Sequence, residues 1–184
     1  MAKKPEIPYS TSYRDIKYPR LEFKTGTLLL VLPKNYEKEK ALLQKHKKWI
    51  QRKNHNIQTA LEQAKTTQLN QTRTLEELKT LTNTIVQQYQ NELNTTTNKT
   101  FYRRMKTKWA SLSKHKNLTI NTLIRYLPES LMEYIIYHEL THAKHGKRHN
   151  KLFWDKIQKK YPDYQSFEKS LLAYWFQIQT LGNS

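Results

Sequence analysis

Five consecutive residues, His138, Glu139, Leu140, Thr141 and His142, form the pattern H-E-x-x-H. On a helix, residues i and i+4 share one face with Cβ atoms about 5–6 Å apart, so both imidazoles can bind one zinc ion at about 2.0–2.1 Å. The glutamate next to the first histidine can then accept the proton of a water at the metal. The pattern therefore predicts a Zn²⁺ site with His138 and His142 as ligands and Glu139 as the general base.

The chain around this pattern has the features of a helix. Pro128 and Glu129 suit a first helical turn, and the apolar run 134–137 supplies a face to bury. Gly146 is typical of a helix end. We therefore predict a helix from Pro128 to about His145 that positions the two histidines.

A catalytic zinc needs a third protein ligand besides a water. The candidates that follow the pattern are His145, His149, Asp155 and Glu168. In a continuous helix His145 would lie about 10 Å along the axis from His138, at 1.5 Å per residue, which is too far to share the ion. A straight helix would place His149 farther still.

Gly146 permits the chain to leave the helix and fold back, and this would bring His149 over the metal. We therefore favour His149 as the third ligand. Glu168, on a later helix, is the alternative, because zinc accepts both imidazole and carboxylate.

The composition excludes several classes of protein. The chain has 184 residues and no cysteine, so disulfides, thiolate catalysis and cysteine-bound zinc are ruled out. An apolar fraction of 36% with 11% aromatic residues is enough for a modest core. The longest aliphatic run, 28–32, is too short to span a bilayer, and no apolar stretch follows the basic start to form a signal peptide. We expect a soluble, cytoplasmic monomer with no membrane partner.

The charge balance is strongly basic. Lys and Arg number 33 against 15 Asp and Glu, a net charge of +18. Basic residues cluster at 34–53, 103–108 and 144–151, and the last two clusters flank the predicted metal site. Such a balance makes nucleic acid a candidate partner, although a solvated basic surface explains the charge equally well.

The hydrophobic pattern predicts an α+β fold, with a small antiparallel sheet against the helix that carries H-E-x-x-H. A hairpin, 18–24 and 27–32 with Gly26 at its turn, begins the chain. The further predicted elements are a helix from 36 to about 61, a helix 75–93, strands 101–105 and 117–123, and helices 152–160 and 166–179. We divide the chain into residues 1–65, the hairpin and basic helix, and 66–184, the metal-binding core.

Two segments are given a further role. We interpret the strand 117–123 either as an edge strand that holds an extended polypeptide by main-chain hydrogen bonds or, equally, as a strand of the sheet without that role. We interpret residues 1–14 as a flexible start that could cover the cleft.

Most of the chain also resembles the YgjP-like metallopeptidases, relatives of the SprT-like and minigluzincin zinc proteases. The hairpin end at 31–33 and the basic helix through 49–50 are similar to the start of that family. The further matching segments are 106–111 (KTKWAS), 117–121 (NLTIN), 127–128 (LP), 134–142 (YIIYHELTH), His149, 153–154 (FW) and 162–164 (PDY).

The resemblance implies a compact, zincin-like peptidase fold, with His138, His142 and His149 as zinc ligands and Glu139 as general base. Two features depart from the family. Where it usually has Trp-Gly-Ser-Cys, this chain has Trp-Ala-Ser-Leu at 109–112, and the segment 57–73 is longer and more polar.

The leading hypothesis is a zinc metallopeptidase that acts on extended or unfolded polypeptide. One alternative is a DNA-associated, SprT-like protease of DNA-bound proteins, motivated by the charge and by the resemblance to SprT-like enzymes. Another is a metal-dependent hydrolase of nucleotide phosphoanhydrides, which the lack of a Gly-rich phosphate loop weakens. A zinc-binding scaffold without activity is the least favoured, because Glu139 is present.

Overall fold

The computed structural model describes residues 7–24, 26–146 and 148–181. The chain forms two compact units, Met1–Lys65 and Thr66–Ser184. Both contain helices and strands, which confirms the predicted α+β class. Across these described ranges, no helix combines the length and apolarity needed to cross a bilayer.

The first unit is a three-stranded sheet with two helices. Its strands are β1 (Tyr9–Arg14), β2 (Arg20–Lys24) and β3 (Thr27–Pro33), and its helices are α1 (Glu39–Lys45) and α2 (Lys47–Thr66). β3 lies in the centre, antiparallel to β2 and parallel to β1. The predicted hairpin is therefore confirmed, with a positive φ of 88° at Gly26 in its turn. Alternate β3 residues form a core with the two helices: Leu28, Leu30, Leu32, Leu42 and Ile50.

Two predictions for this unit were wrong. Residues 9–14 are not a flexible start, because they form β1 and pair with β3 over its whole length; residues 1–6 lie outside the described residues. The single helix predicted from residue 36 is divided at His46 into α1 and α2. Residues 44–48 are all polar, so no buried side chain holds this stretch on one helix axis.

The second unit begins with a capped helix. α3 (Leu75–Leu93) has the predicted bounds, and Thr74 and Glu77 form a capping box at its start. Three strands follow: β4 (Thr100–Arg103), β5 (Ala110–Leu112) and β6 (Leu118–Asn121). A 3₁₀ helix then leads to the last helices. The 3₁₀ helix is Thr122–Tyr126, and the last helices are α4 (Glu129–His145), α5 (Lys151–Lys160) and α6 (Tyr164–Leu181).

The strand order of the second sheet is β4-β6-β5. β6 is therefore central, and the prediction that this segment is an edge strand was wrong. Leu118 and Ile120 are fully buried, and this apolar strand gains most by lying between two others. The sheet is also mixed and not purely antiparallel, because β4 runs parallel to β6. β5, a strand absent from the prediction, is the edge strand that contacts α4.

α4 lies in the centre of the second unit. Its core face is fully buried against α3, the sheet and α5, so little of the helix remains for solvent. This packing fixes the rotation of the helix about its axis, and with it the direction of its polar side chains. The largest buried residues of the cluster include Tyr134, Tyr137, Phe153, Leu78, Leu93 and Leu118.

Asn121 fastens the loop between the two edge strands to the central strand. Its side chain is completely buried, and its Nδ2 donates to the carbonyls of Met105 (2.9 Å) and Lys108 (2.7 Å). Its Oδ1 accepts the N–H groups of Met105 (3.2 Å) and Leu123 (3.1 Å). Three of these four hydrogen bonds hold the β4–β5 loop, residues 104–109, across the end of β6, and the fourth holds the start of the 3₁₀ helix that follows.

We predict that Asn121→Ala destabilises the protein by about 2–4 kcal/mol, because it leaves several buried backbone groups without partners. Asn117→Ala, on the neighbouring turn, is the control and should cost less than about 0.5 kcal/mol. Urea unfolding of both variants measures the difference. An equal loss in the two variants would contradict the role of the Asn121 amide.

Candidate metal centre

α4 carries three partly exposed polar side chains close together in the sequence. His138, Glu139 and His142 are half-buried, whereas Leu140 and Thr141 between them are fully buried. The spacing of four residues places both imidazoles on the same face. The predicted helix is confirmed, with Glu129–His145 as its bounds.

The chain folds back directly after α4. Gly146 ends the helix with φ of 76°, a conformation that residues with a side chain rarely adopt, and its N–H donates to the carbonyl of His142 at 3.0 Å. Asn150 then caps α5, its Oδ1 accepting the N–H of Phe153 at 3.0 Å. The short connection between these two residues carries His149 back toward α4.

The three imidazoles meet at their Nε2 atoms. Nε2 of His149 lies 3.0 Å from Nε2 of His138 and 3.2 Å from Nε2 of His142. One ring nitrogen from each residue lies within 4.8 Å of the other two. Nitrogen ligands about 2.0–2.1 Å from a tetrahedral zinc ion are about 3.3 Å apart, so the spacing fits such an ion.

The tautomer of His142 supports the same fit. Its Nδ1 lies 2.8 Å from the carbonyl oxygen of Gly146, and only a protonated Nδ1 can donate to that oxygen. The neutral ring then has its lone pair on Nε2, directed at the other two imidazoles. A carbonyl that orients a ligating histidine in this way is a frequent feature of metal sites. The donor set is therefore suited to a divalent metal ion.

Burial favours the neutral form of two of these imidazoles, those of His138 and His149. It lowers the pKa of His138 to about 3, with further contributions from the charges of His142 and His149 when they are protonated. Burial and the charge of His142 also lower the pKa of His149, against the opposing effect of Glu168. Neutral imidazole is the form that binds a metal, so the site is ready to bind one at neutral pH.

Glu139 joins α4 to the edge strand. Its Oε2 accepts the N–H of Leu112 in β5 at 2.9 Å. Burial raises the pKa of this carboxyl group, and the charge of His142 and the hydrogen bond from Leu112 partly oppose that rise. Lys108, at the end of the β4–β5 loop, has a smaller lowering effect.

An aromatic pair supports the imidazoles. Phe153 is fully buried, and its ring stacks on His142 with centroids 4.4 Å apart and lies edge-on to the other two ligand candidates, His138 and His149. Trp154 stacks on His149 at 5.5 Å. The sequence had indicated only a core role for these aromatics, but their contacts show that they also form the floor and one side of the site.

The other candidate ligands do not belong to this group of three, although the charge of Glu168 acts on His149. The carboxylate of Asp155 pairs with Lys151 at 2.9 Å. Glu168 accepts the hydroxyl of Tyr134 at 2.6 Å, and His145 is the last residue of α4. Among the described residues, His138, His142 and His149 are the group with metal-binding spacing.

Sequence reasoning missed the contact between Leu112 and Glu139. A strand of three residues has too little alternation to be recognised as a strand. The signal that was available is the match of residues 106–111 to a segment of the family, placed between two predicted strands.

Comparison with known proteins identifies the family. The model of the YgjP-like metallopeptidase domain matches residues 63–174, more than half of the chain. The chain belongs to the YgjP-like metallopeptidases. The match includes α3, the whole second sheet and the three histidines of α4 and its following loop. Among curated proteins no significant match was found.

Two solved structures are similar to parts of this YgjP-like chain. The metallopeptidase zymogen jannalysin of Methanocaldococcus jannaschii is 27% identical, with 50% of this chain and 87% of that one covered and a TM-score of 0.45. The metallopeptidase zymogen abylysin of Pyrococcus abyssi is 26% identical, with coverages of 44% and 80% and a TM-score of 0.41. The family assignment rests on the domain match.

We predict that His149→Ala weakens zinc binding by more than about 100-fold, since loss of a mere supporting partner already costs 10–100-fold. Glu168→Gln and His145→Ala should retain the affinity of the native chain. Competition with a chromogenic chelator measures all three. Loss of binding in Glu168→Gln, with binding kept in His149→Ala, would make Glu168 the third ligand instead.

Proposed function

We propose that this YgjP-like protein is a zinc-dependent peptidase with His138, His142 and His149 as metal ligands and Glu139 as general base. The observation that carries the proposal is that the Nε2 atom of His149 lies within 3.2 Å of those of His138 and His142. On the same helix, the carboxylate of Glu139 accepts the N–H of Leu112. Membership of a metallopeptidase family supports the reaction class.

The chain's own groups have separate tasks in this proposal. A zinc ion at the three imidazoles would supply Lewis acidity, which polarises the scissile carbonyl and acidifies a nearby water molecule. The N–H of Leu112 engages Oε2 of Glu139 and leaves Oε1 to accept the proton of the attacking water. Glu139 then delivers this proton to the departing amine, so the carboxylate is regenerated when the peptide bond breaks.

The edge strand β5 is suited to hold the substrate. The carbonyl of Trp109 and the N–H of Ser113 bond to β6, so the backbone groups of Ala110 and Leu112 point away from it. The N–H of Leu112 already donates to the carboxylate of Glu139, the proposed base. An extended polypeptide added along this free edge would pass directly beside Glu139. The role first given to the segment 117–123 therefore belongs to β5 in this proposal.

The other proposed functions have less support. Metallopeptidase membership argues against the hydrolysis of nucleotide phosphoanhydrides. A DNA-associated protease is motivated by the net charge of +18 and by the resemblance to SprT-like enzymes, and a charge total says nothing of how cations are arranged. A peptidase that acts on free polypeptide accounts for the site without a further partner.

We predict that Glu139→Gln lowers kcat for an unstructured protein substrate by about 10²- to 10⁴-fold, the usual contribution of a general base. Zinc content should stay at one ion per chain, because the three imidazoles are unchanged. Glu168→Gln is the matched control and should keep its activity. Equal cleavage by Glu139→Gln and the native chain would exclude Glu139 as the base.

We also predict that substrate main-chain groups contribute to turnover. Replacing one substrate amide that faces β5 by an ester removes a hydrogen-bond donor, and kcat/KM should fall about 2- to 10-fold. A scan of single ester replacements through one peptide would show sensitive positions at alternate residues, as strand pairing requires. Uniform sensitivity at every position would contradict pairing along the edge.

A further inference from the structure

The segment that surrounds the edge strand is uniformly basic. Between Leu93 and Pro128 the chain has eight Lys or Arg residues and no Asp or Glu. This segment contains all of the second sheet and its connections. The wall of the site that faces Glu139 therefore has charges of only one sign.

The cations stand at both ends of β5. Lys106 and Lys108 precede the strand in the β4–β5 loop, and Lys114 and Lys116 follow it in the turn to β6; all four are exposed. None of the ion pairs found among the described residues involves these lysines. The structure therefore leaves them available to a ligand.

The loop that carries the first pair has a fixed position. The buried amide of Asn121 bonds to the carbonyl of Lys108 and to both backbone groups of Met105. A strand rises about 3.3 Å per residue, so Lys108 lies about 13 Å along the chain from Leu112. An extended substrate of about eight residues would reach the cations at both ends while its centre lies beside Glu139.

We infer that this surface selects polypeptides with acidic residues on both sides of the bond to be cleaved, through Lys106 and Lys108 at one end of β5 and Lys114 and Lys116 at the other. The inference names the substrate class of the proposed peptidase and rests on that function. It gives a role to basic residues that are not among the proposed metal ligands.

A nucleic acid would meet the same cations but fits the surface less well. Single-stranded nucleic acids bind where exposed aromatic side chains stack on bases beside a basic groove. In the segment 100–121, which is described throughout, Phe101 is the exposed large aromatic, and it lies on β4 at the opposite edge of the sheet. The free backbone edge of β5 is complementary to a polypeptide strand.

The test uses three fluorogenic peptides with the same central sequence and flanks of Glu, Gln or Lys. Binding to the zinc-loaded Glu139→Gln chain is measured by fluorescence anisotropy, and turnover is measured with the native Glu139. We expect the Glu peptide to bind about three- to tenfold more tightly than the Gln peptide. This preference should shrink as salt is raised, because exposed charges are screened.

Paired variants locate the preference. Lys106→Gln with Lys108→Gln, and separately Lys114→Gln with Lys116→Gln, should each lower the preference for the Glu peptide about three- to tenfold, with little change for the Gln peptide. Lys159→Gln with Lys169→Gln removes the same charge from exposed positions on α5 and α6 and should retain the preference. Thermal unfolding of each variant checks that it is folded.

Equal binding of the Glu and Gln peptides, or an equal effect of the control pair, would overturn the inference. So would a single-stranded oligonucleotide that displaces the Glu peptide and binds more tightly through the same lysines. Selective binding of the Glu peptide with no cleavage by the native chain would uphold the selective surface and refute the proposed peptidase activity. The two failures are therefore distinguishable.

Discussion

The structure of the site depends on one constraint, that a single helix can direct only two histidines at the same metal ion. Residues four apart share a helix face, but the next turn lies too far along the axis. The third imidazole must therefore come from a chain that reverses direction. Gly146, with φ of 76°, permits this reversal, and its carbonyl also orients His142. One glycine thus ends the helix and orients a proposed ligand.

The core makes this arrangement rigid. Phe153 is buried on the first turn of α5 and touches all three imidazoles, so the packing that fixes α5 against α4 also fixes the rings. Protein interiors tolerate little change in volume, and the three imidazoles resist displacement because Phe153, which contacts them, belongs to the core. A preformed metal site of this kind loses little side-chain entropy when the metal binds.

The helices could be predicted from sequence more completely than the sheet. α3 and α4 have long apolar stripes with clear start and end signals, such as the Thr74 capping box and Gly146, and their bounds agreed. β5 has three residues and β1 is mostly polar, so neither shows the alternation that identifies a strand. Strand order depends on contacts distant in sequence, which is why the central position of β6 was missed. Of the site, the pattern on α4 indicated three residues, whereas the N–H of Leu112 became visible only in the fold.

The position of Glu139 connects the proposed binding of substrate along β5 with the proposed proton transfer. Its carboxylate accepts a hydrogen bond from β5 and stands between two histidines of the site on α4. A polypeptide that pairs with the free edge of β5 would contact the same strand whose Leu112 N–H donates to this carboxylate. Asn121 limits how far the start of the strand can move, since it ties the preceding loop to β6. The hydrogen bond from Leu112 therefore joins the proposed substrate edge directly to the proposed base.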